Sequence, residues 1–316
     1  MKGPLQPSPQ SRKPSLAPAR PGAPVFGELL KSWRAARRYS QFELALQTQI
    51  SQRHLSFLES GRARPSRDMV LHLAQGLLVP LRERNDLLVA AGFAPIYAER
   101  TLNDGAMSAI REALETTLRH HEPYPALVVD RCWNVVLHNA AVDRLIGLLG
   151  EPAQVWARVD PSGGRNLMRL SLHPEGLQPL VVDWPATAAA MLARLQVEAQ
   201  ANPANTGLQH LLADLRALPG VPSNRWPVGT PLSMEVPVLT LRLHQGDATL
   251  ELFSMVCTFG TALDLTADEL RLELLFPGDD ATARFLRASG AAVSATAQGG
   301  EPGLVQALRS MDGSAW

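Results

Sequence analysis

From Phe26 onward the apolar positions fall into short stripes at helical spacing. Phe26, Leu29, Leu30, Trp33 and Ala36 repeat every three or four residues, with Arg34, Arg37 and Arg38 on or near the other face. Ser40 is placed to N-cap a second helix, roughly Gln41 to Thr48. Its third residue, Glu43, completes a capping box, and it carries apolar Phe42, Leu44, Ala45 and Leu46. After a tight turn around Gln49 and Ile50, Ser51 caps a third helix that runs to about Ser60. Gly61 stands where the left-handed C-terminal residue of that helix belongs. A basic loop, GRARPS, leads to Ser66, the cap of a fourth helix through Met69, Val70, Leu73 and Leu77. Pro80 opens a fifth, LRERNDLLVAAG, closed by Gly92. Five short helices in about 70 residues are enough for a small all-α domain.

The pattern then changes. Thr101 to His121 predicts a helix with Met107, Ile110, Leu114 and Leu118 in one stripe, and we expect it to connect two domains. Leu127–Asp130 and Trp133–Asn139, around a turn at 130–132, predict a β-hairpin. A helix is expected from Ala140 to Leu149 and a loop over 150–166, broken at Asp160-Pro-Ser-Gly-Gly164. Two or three helices follow between Leu167 and Leu218. Val236–His244 and Thr249–Phe259 alternate apolar and polar residues around Gln245-Gly246-Asp247, which predicts a second hairpin. The acidic residues of LDLTADELRLELL fall at helical spacing and are expected on a solvated face.

The stretch SQFELALQTQISQRHLSFLESG reads as a helix-turn-helix. Leu55 and Leu58 face inward with Ile50, leaving Gln52, Arg53, Ser56 and Phe57 outside. Gln pairs bidentately with adenine and Arg with guanine in the major groove, while an apolar tip meets a thymine methyl. A helical hairpin with a merely solvated polar face is the alternative; the caps, the spacing and the neighbouring arginines weigh against it. His54 shares the helix, but its spacing turns it toward the flank.

Residues 26–94 resemble the DNA-binding domain of the Xre family of phage-repressor-like regulators. FGELLKSWRAARRYSQFELA is similar to its first two helices, and SQRHLSFLESGRARPS to its recognition helix and following loop. The family commonly has Gly at the turn position held here by Gln49, where a positive φ is expected; a non-Gly residue there costs about 1 kcal/mol or somewhat more. EPYPALVVDRCWNVVLHNAA, LHPEGLQPLVVDW and LFSMVCTFGTALDLTADELRLELLFPGDD resemble the ligand-binding domain of MmyB-like transcription regulators, so that the resemblance covers roughly residues 26–287. It implies an all-α, five-helix, lambda-repressor-like DNA-binding domain over 25–96, the connecting helix at 101–121, and an α+β PAS-like domain over 122–287. A Pro-rich basic tail, 1–24, and a flexible tail, 288–316, complete the expected organisation.

The resemblance further implies a homodimer that binds a double-stranded DNA operator and responds to a small apolar ligand of fatty-acyl type. By position, Gln41 contacts a phosphate, Gln52 and Arg53 meet base edges with Ser56 and Phe57 one turn on, and Arg62 and Arg64 grip the backbone. For the ligand, Trp133, Met255 and Phe259 are candidate apolar contacts. His138, Asn139, Arg169 and His173 are candidate head-group contacts. Each has an ordinary structural alternative, plain core for the apolar three and a local hydrogen bond or turn for the others.

Charge sharpens the division. The chain has 316 residues and zero formal net charge. Residues 1–100 carry 15 Lys and Arg against 7 Asp and Glu, and residues 101–316 carry 15 against 23. A basic first third suits phosphates, and an acidic remainder does not. Residues 1–24 hold seven prolines and no acidic residue, a composition that cannot bury enough apolar surface to order itself. Two cysteines, Cys132 and Cys257, are too few for a disulfide framework or a structural zinc site. No apolar run reaches the roughly eighteen residues of a membrane span, and no signal-peptide core is present at the start, so the cytoplasm is the expected compartment. Nucleotide-binding, hydrolase and zincin motifs are absent. His120-His121-Glu122 lacks further ligands for a metal. Neither enzyme activity nor a cofactor is expected. The rival reading is a helix-turn-helix interaction or antitoxin-like module whose second domain binds a protein.

Overall fold

The computed structural model describes residues 25–221, 240–246, 248–260 and 262–296. Its contacts divide the chain into two compact units on either side of the Tyr97–Ala98 bond.

The first unit holds α1 (Phe26–Ala36), α2 (Gln41–Gln47), α3 (Gln52–Glu59), α4 (Arg67–Gly76) and α5 (Leu81–Ala90). Ser40, Ser51 and Ser66 each accept a hydrogen bond from the backbone N–H three residues on, and Glu43 closes the capping box at Ser40. All five helices end in the same closure. The residue after the C-cap takes a positive φ, and the next N–H bonds back to the carbonyl five residues earlier. The pairs are Tyr39 to Arg34, Ile50 to Ala45, Arg62 to Phe57, Val79 to Ala74 and Phe93 to Leu88. Gly61 and Gly92 take the left-handed position in two helices; Arg38 (φ 57°), Gln49 (φ 54°) and Leu78 (φ 49°) take it in the other three. Phe26, Leu30, Trp33, Leu44, Leu55, Leu58, Val70 and Leu73 form one core. On α2 the apolar residues divide: Leu44 and Ala45 are buried, whereas Phe42 is 62% and Leu46 71% exposed.

The second unit opens with α6 (Ser108–His121), followed by β1 (Ala126–Val129), β2 (Val135–His138), α7 (Ala140–Ile146), α8 (Pro152–Val159), α9 (Leu167–Leu172), α10 (Trp184–Ala201) and α11 (Thr206–Arg216). β3 (Thr240–Gln245), β4 (Ala248–Cys257), α12 (Leu265–Glu269), β5 (Arg271–Pro277) and α13 (Asp280–Thr296) complete it. The five strands form one sheet in the order β2-β1-β5-β4-β3, with antiparallel pairing throughout. One face, with Ala126, Val128 and Leu272, packs under Leu114 and Leu118 of α6. The other, with Leu127, Val129 and Trp133, joins Val155, Trp156, Leu172, Leu192, Leu195 and Leu212 in the larger core. An all-α helix-turn-helix unit followed by an α+β PAS-like unit is the architecture expected from the sequence.

Several details differ. The helix expected to connect two domains lies within the second unit, because its Leu114–Leu118 stripe covers the sheet. The segment 150–166 is not loop throughout: Glu151 accepts from the Gln154 N–H, Pro152 sits at the first position, and Val155, Trp156 and Val159 bury α8. The acidic LDLTADELRLELL run is not one solvated helix. α12 stops at Glu269 and β5 begins at Arg271, pairing on both sides and burying Glu273. The boundary expected at residue 287 falls inside α13, whose Leu286 packs with Leu250 and Leu252 of β4. In the second hairpin, Gly246 takes φ 57° between Gln245 and Ala248. The expected start of that hairpin, residues 236–239, and its turn residue Asp247 lie outside the described residues, as do residues 1–24 and 297–316 of the expected tails.

Candidate DNA interface and ligand-binding unit

The α3 surface follows from its packing. Leu55 and Leu58 are fully buried, and the rest of the helix surface turns outward, with Gln52 and Arg53 exposed and Ser56 and Phe57 half-buried. The Arg53 guanidinium stacks over the Phe57 ring at 5.4 Å. A cation on an aromatic face one helical turn away is held more narrowly than a free arginine. Arg62 and Arg64 follow the Gly61 closure and are exposed, and neither makes an ion pair among the described residues. Gln41 has a commitment that spacing did not disclose: its Nε2 donates to Glu59 Oε2 at 2.8 Å. That bond uses one of its two amide hydrogens.

Glu59, the last residue of α3, ties three helices together. Arg34 of α1 donates from Nε to Oε1 at 2.6 Å and from Nη2 to Oε2 at 3.0 Å, while its Nη1 donates to the Tyr39 carbonyl at 2.8 Å. Burial acts to raise the Glu59 pKa, but the hydrogen bonds from Arg34 and Gln41 and the charges of Arg34 and Lys31 outweigh it and hold it below the usual value. Gly27 of α1 passes so close that an added Cβ would stand 2.7 Å from the Leu58 carbonyl oxygen, and nearer still to that of Glu59. The recognition-helix candidate is therefore fixed at its C-terminal end by a bidentate ion pair and a close backbone approach. Sequence reasoning missed Glu59, Arg34 and Gly27, since only contacts across the fold reveal them.

The residues expected at the ligand do not all face one place. Trp133 takes φ 66° in the β1–β2 turn and is buried in the larger core, its Nε1 donating to Glu198 Oε2 at 3.0 Å. Asp130 builds that turn by accepting from the Cys132 and Asn134 backbone N–H groups. Asn139 is a structural cross-link, accepting from the Ala126 N–H and donating to the carbonyls of Leu118 and Tyr124. His138 lies between Asp143, 3.7 Å from Nδ1, and Arg165, 3.5 Å from Nε2. Arg169 pairs with Asp214. His173 caps α9 and its Nδ1 accepts from the Glu175 N–H, which makes it a turn residue. Met255 is exposed on β4, and Phe259 packs with the α6 side of the sheet. A cavity of about 390 Å³ opens between α6, β2 and α12, lined by Leu102, Asn103, Arg111, Asp130, Val136, Leu137, Thr266, Glu269 and Leu270; none of the seven expected residues lines it.

His121 of the His-His-Glu run has its Nε2 2.8 Å from the Leu275 carbonyl, and Glu122 pairs with Arg144. Among the described residues no group of three or more His, Cys, Asp or Glu is arranged to hold a metal ion, and no helix is long and apolar enough to cross a membrane.

A capped helix-turn-helix joined to an α+β sensor-like unit defines a DNA-binding transcription regulator with a ligand-binding domain. The comparisons agree: residues 25–87 match the model of a helix-turn-helix domain, and residues 110–288 match that of the MmyB-like transcription regulator ligand binding domain. The second match covers more than half of the chain, which therefore belongs to the MmyB-like transcription regulators. No curated protein matches. One similar solved structure is an RNA-binding light-oxygen-voltage receptor, at 13% identity over 86% of this chain and 64% of that one, with a TM-score of 0.22. A likeness at that score carries no argument.

Proposed function

We propose that this regulator reads a specific operator through Gln52 and Arg53, with Ser56 and Phe57 as further contacts, while Arg62, Arg64 and Gln41 hold the phosphate backbone. The carrying observation is the outward N-terminal face of α3, where the Arg53 guanidinium is stacked over Phe57 and followed by the exposed arginines of the next loop. It acts as a homodimer, because a half-site reader of this kind pairs two recognition helices one helical turn of DNA apart. The second unit senses a small apolar molecule of fatty-acyl type in the cytoplasm, without a cofactor and without catalysing a reaction. The ligand changes operator affinity only as far as it binds the DNA-competent and incompetent states differently.

The test is fluorescence anisotropy of the full chain on its own upstream intergenic DNA and on shuffled DNA over a salt series. A preference of about a thousandfold at physiological salt is expected. Arg53→Ala removes that preference and leaves weak, salt-dependent binding. Unchanged operator affinity in Arg53→Ala overturns the assignment of α3.

One observation favours a second reading. Phe42 and Leu46, four apart on α2, present an apolar pair to solvent, as a protein-interaction or antitoxin-like module would. A stable hetero-complex that dissociates in Phe42→Ser/Leu46→Ser, from a chain that shows no operator preference, would replace the first reading with this one.

A further inference from the structure

The cavity of about 390 Å³ lies wholly within the second unit, beside the residues by which the chain enters that unit. At the end of the first unit, Asn85 of α5 holds the chain. Its Oδ1 accepts from the Ile96 and Tyr97 N–H groups at 3.0 and 3.1 Å, and its Nδ2 donates to the Tyr97 carbonyl at 2.8 Å. The next residues are held by α12 instead. The Leu265 N–H donates to the Ala98 carbonyl at 2.9 Å, Arg100 Nη1 to Asp264 Oδ2 at 2.9 Å, and Thr266 Oγ1 to the Arg100 carbonyl at 2.5 Å. The connector thus passes from one set of bonds to the other across the single peptide bond Tyr97–Ala98, with no slack residue. Leu102 and Asn103 follow directly and line the cavity, as do Thr266, Glu269 and Leu270 of α12. One short helix therefore clamps the connector and lines the cavity.

The lining combines apolar surface with one unbalanced charge. Leu102, Val136, Leu137 and Leu270 supply the apolar part, and Val136 is 41% exposed. Arg111 is engaged by Glu115 at 2.7 Å and by Asn103, and Glu269 is engaged by Arg131 at 2.9 Å. Asp130 differs. Its Oδ1 accepts from the Cys132 and Asn134 N–H groups, its Oδ2 accepts only from Asn134 Nδ2 at 2.9 Å, and among the described residues no cation pairs with it. A carboxylate offers about four lone-pair sites, so Oδ2 keeps one open. Counting the lining charges with their ion-pair partners, Arg111 and Arg131 stand against Glu115, Glu269 and Asp130, one negative charge in excess. Residues 101–316 are acidic as a whole, with 15 Lys and Arg against 23 Asp and Glu, so the field there draws cations and repels anions. The volume lies near the lower end of the range for small-molecule pockets, about 300–1,000 Å³.

We propose that this cavity is an effector site for a small organic amine, whose occupancy acts on the connector through α12. The ammonium group donates to Asp130 Oδ2, and the apolar body lies against Val136, Leu137 and Leu270. The site does not rest on the fatty-acyl reading, since the charge it prefers is the opposite one. An occupant shifts the clamp only as far as it binds two arrangements of α12 and the connector differently.

The test is a methyl-detected NMR titration of the full chain at pH 7 with 2-phenylethylamine, 2-phenylethanol and 3-phenylpropanoate, which share a body and differ in charge. The amine is expected to shift the Val136, Leu137 and Leu270 methyls and to bind at least fivefold more tightly than the alcohol, with the acid weakest. Asp130→Asn lowers the amine to the affinity of the alcohol. Because Asp130 also builds the β1–β2 turn, two further variants are needed. Val136→Phe fills the cavity and abolishes binding of amine and alcohol alike. Arg111→Gln removes a like charge and tightens the amine severalfold, a gain that a damaged fold would not give. Hydrogen exchange reads the clamp: saturating amine changes exchange of the Leu265 amide, bonded to Ala98, at least threefold and leaves the Leu192 amide of α10 unchanged. No binding of the amine, tightest binding of the acid, or an amine preference intact in Asp130→Asn overturns the site. Amine binding that leaves the Leu265 amide unchanged overturns the effector role.

Discussion

Replacing Glu59 by Gln tests the idea that the C-terminal end of the recognition helix is held by charge. The carboxylate has 5% of its side chain exposed and Arg34 has 14%. Breaking such a buried pair from one side costs about 3–5 kcal/mol, because the remaining charge is left without compensation. Gln keeps the shape and one neutral acceptor, and the guanidinium still donates to the Tyr39 carbonyl. We therefore expect a loss at or just below the foot of that range, about 2–3 kcal/mol. Hydrogen exchange on the full chain reads this locally. A loss of that size speeds exchange of the Leu55 and Leu58 amides roughly 30- to 150-fold, at 1.36 kcal/mol per decade. The β1 and β5 amides of the second unit serve as the unchanged control. An acceleration below about threefold in α3 would refute the reasoning.

The same pair fixes a pH dependence. The folded-state pKa of Glu59 is depressed, so its contribution is fully present above the unfolded value, about 4.3, and is lost as pH falls through the folded value. The stability difference between wild type and Glu59→Gln, from urea denaturation, therefore holds at pH 6–7 and shrinks below about pH 4. A gap that widens on acidification would give the pair the wrong sign.

Other perturbations separate positioning from contact. Gly27→Ala drives a methyl into the Leu58 and Glu59 carbonyls; it should destabilise the first unit by about 1–3 kcal/mol in the same exchange measurement. Arg62→Ala and Arg64→Ala should each weaken specific and shuffled DNA alike and flatten the log-affinity against log-salt slope by about one, as read by anisotropy. Gln49→Gly relieves a left-handed strain of about 1–2 kcal/mol while adding about 0.4–1 kcal/mol of unfolded-state entropy. A small net stabilisation is expected on urea denaturation, and a loss would mean that the Gln49 side chain does more than occupy a turn. Asn139→Ala strips partners from the Ala126 N–H and the Leu118 and Tyr124 carbonyls, and urea denaturation should show a loss of at least about 2 kcal/mol.

The five helices of the first unit were legible because each is written locally. An apolar stripe and a closing turn, with a capping serine in three of the five, fall within about a dozen residues. What stayed hidden there is long-range. Nothing in a single sequence says that Gly27 lies on the Leu58 carbonyl, or that Gln41 spends an amide hydrogen on Glu59. Even the turns were only half visible. Gly61 and Gly92 announce a left-handed residue, whereas Arg38 and Leu78 take the same conformation because the backbone bonds of the closure and the packing behind them outweigh the steric cost. In the second unit β5 was misread for a related reason. Its acidic residues fall at a spacing compatible with a helix, and only pairing to β1 and β4 turns Arg271 and Glu273 toward α10.

That difference also explains why the two candidate sites were so unequal in the sequence. A recognition helix acts outward from contiguous residues, so burying Leu55 and Leu58 by itself exposes Gln52 and Arg53. A polar cluster inside a domain is assembled from separate segments. Arg194, Glu198, Ser254 and Glu273 lie on α10, β4 and β5, and no spacing rule joins them. Their signature is energetic: a buried oxygen without a partner, beside an arginine held loosely by two acids. Trp133 shows the limit of reading such a site from composition. Its apolar character marked it as a wall of a pocket, yet the indole has the guanidinium groups of Arg194 and Arg271 within 5.3 Å of its ring centroid and donates to Glu198 inside the larger core.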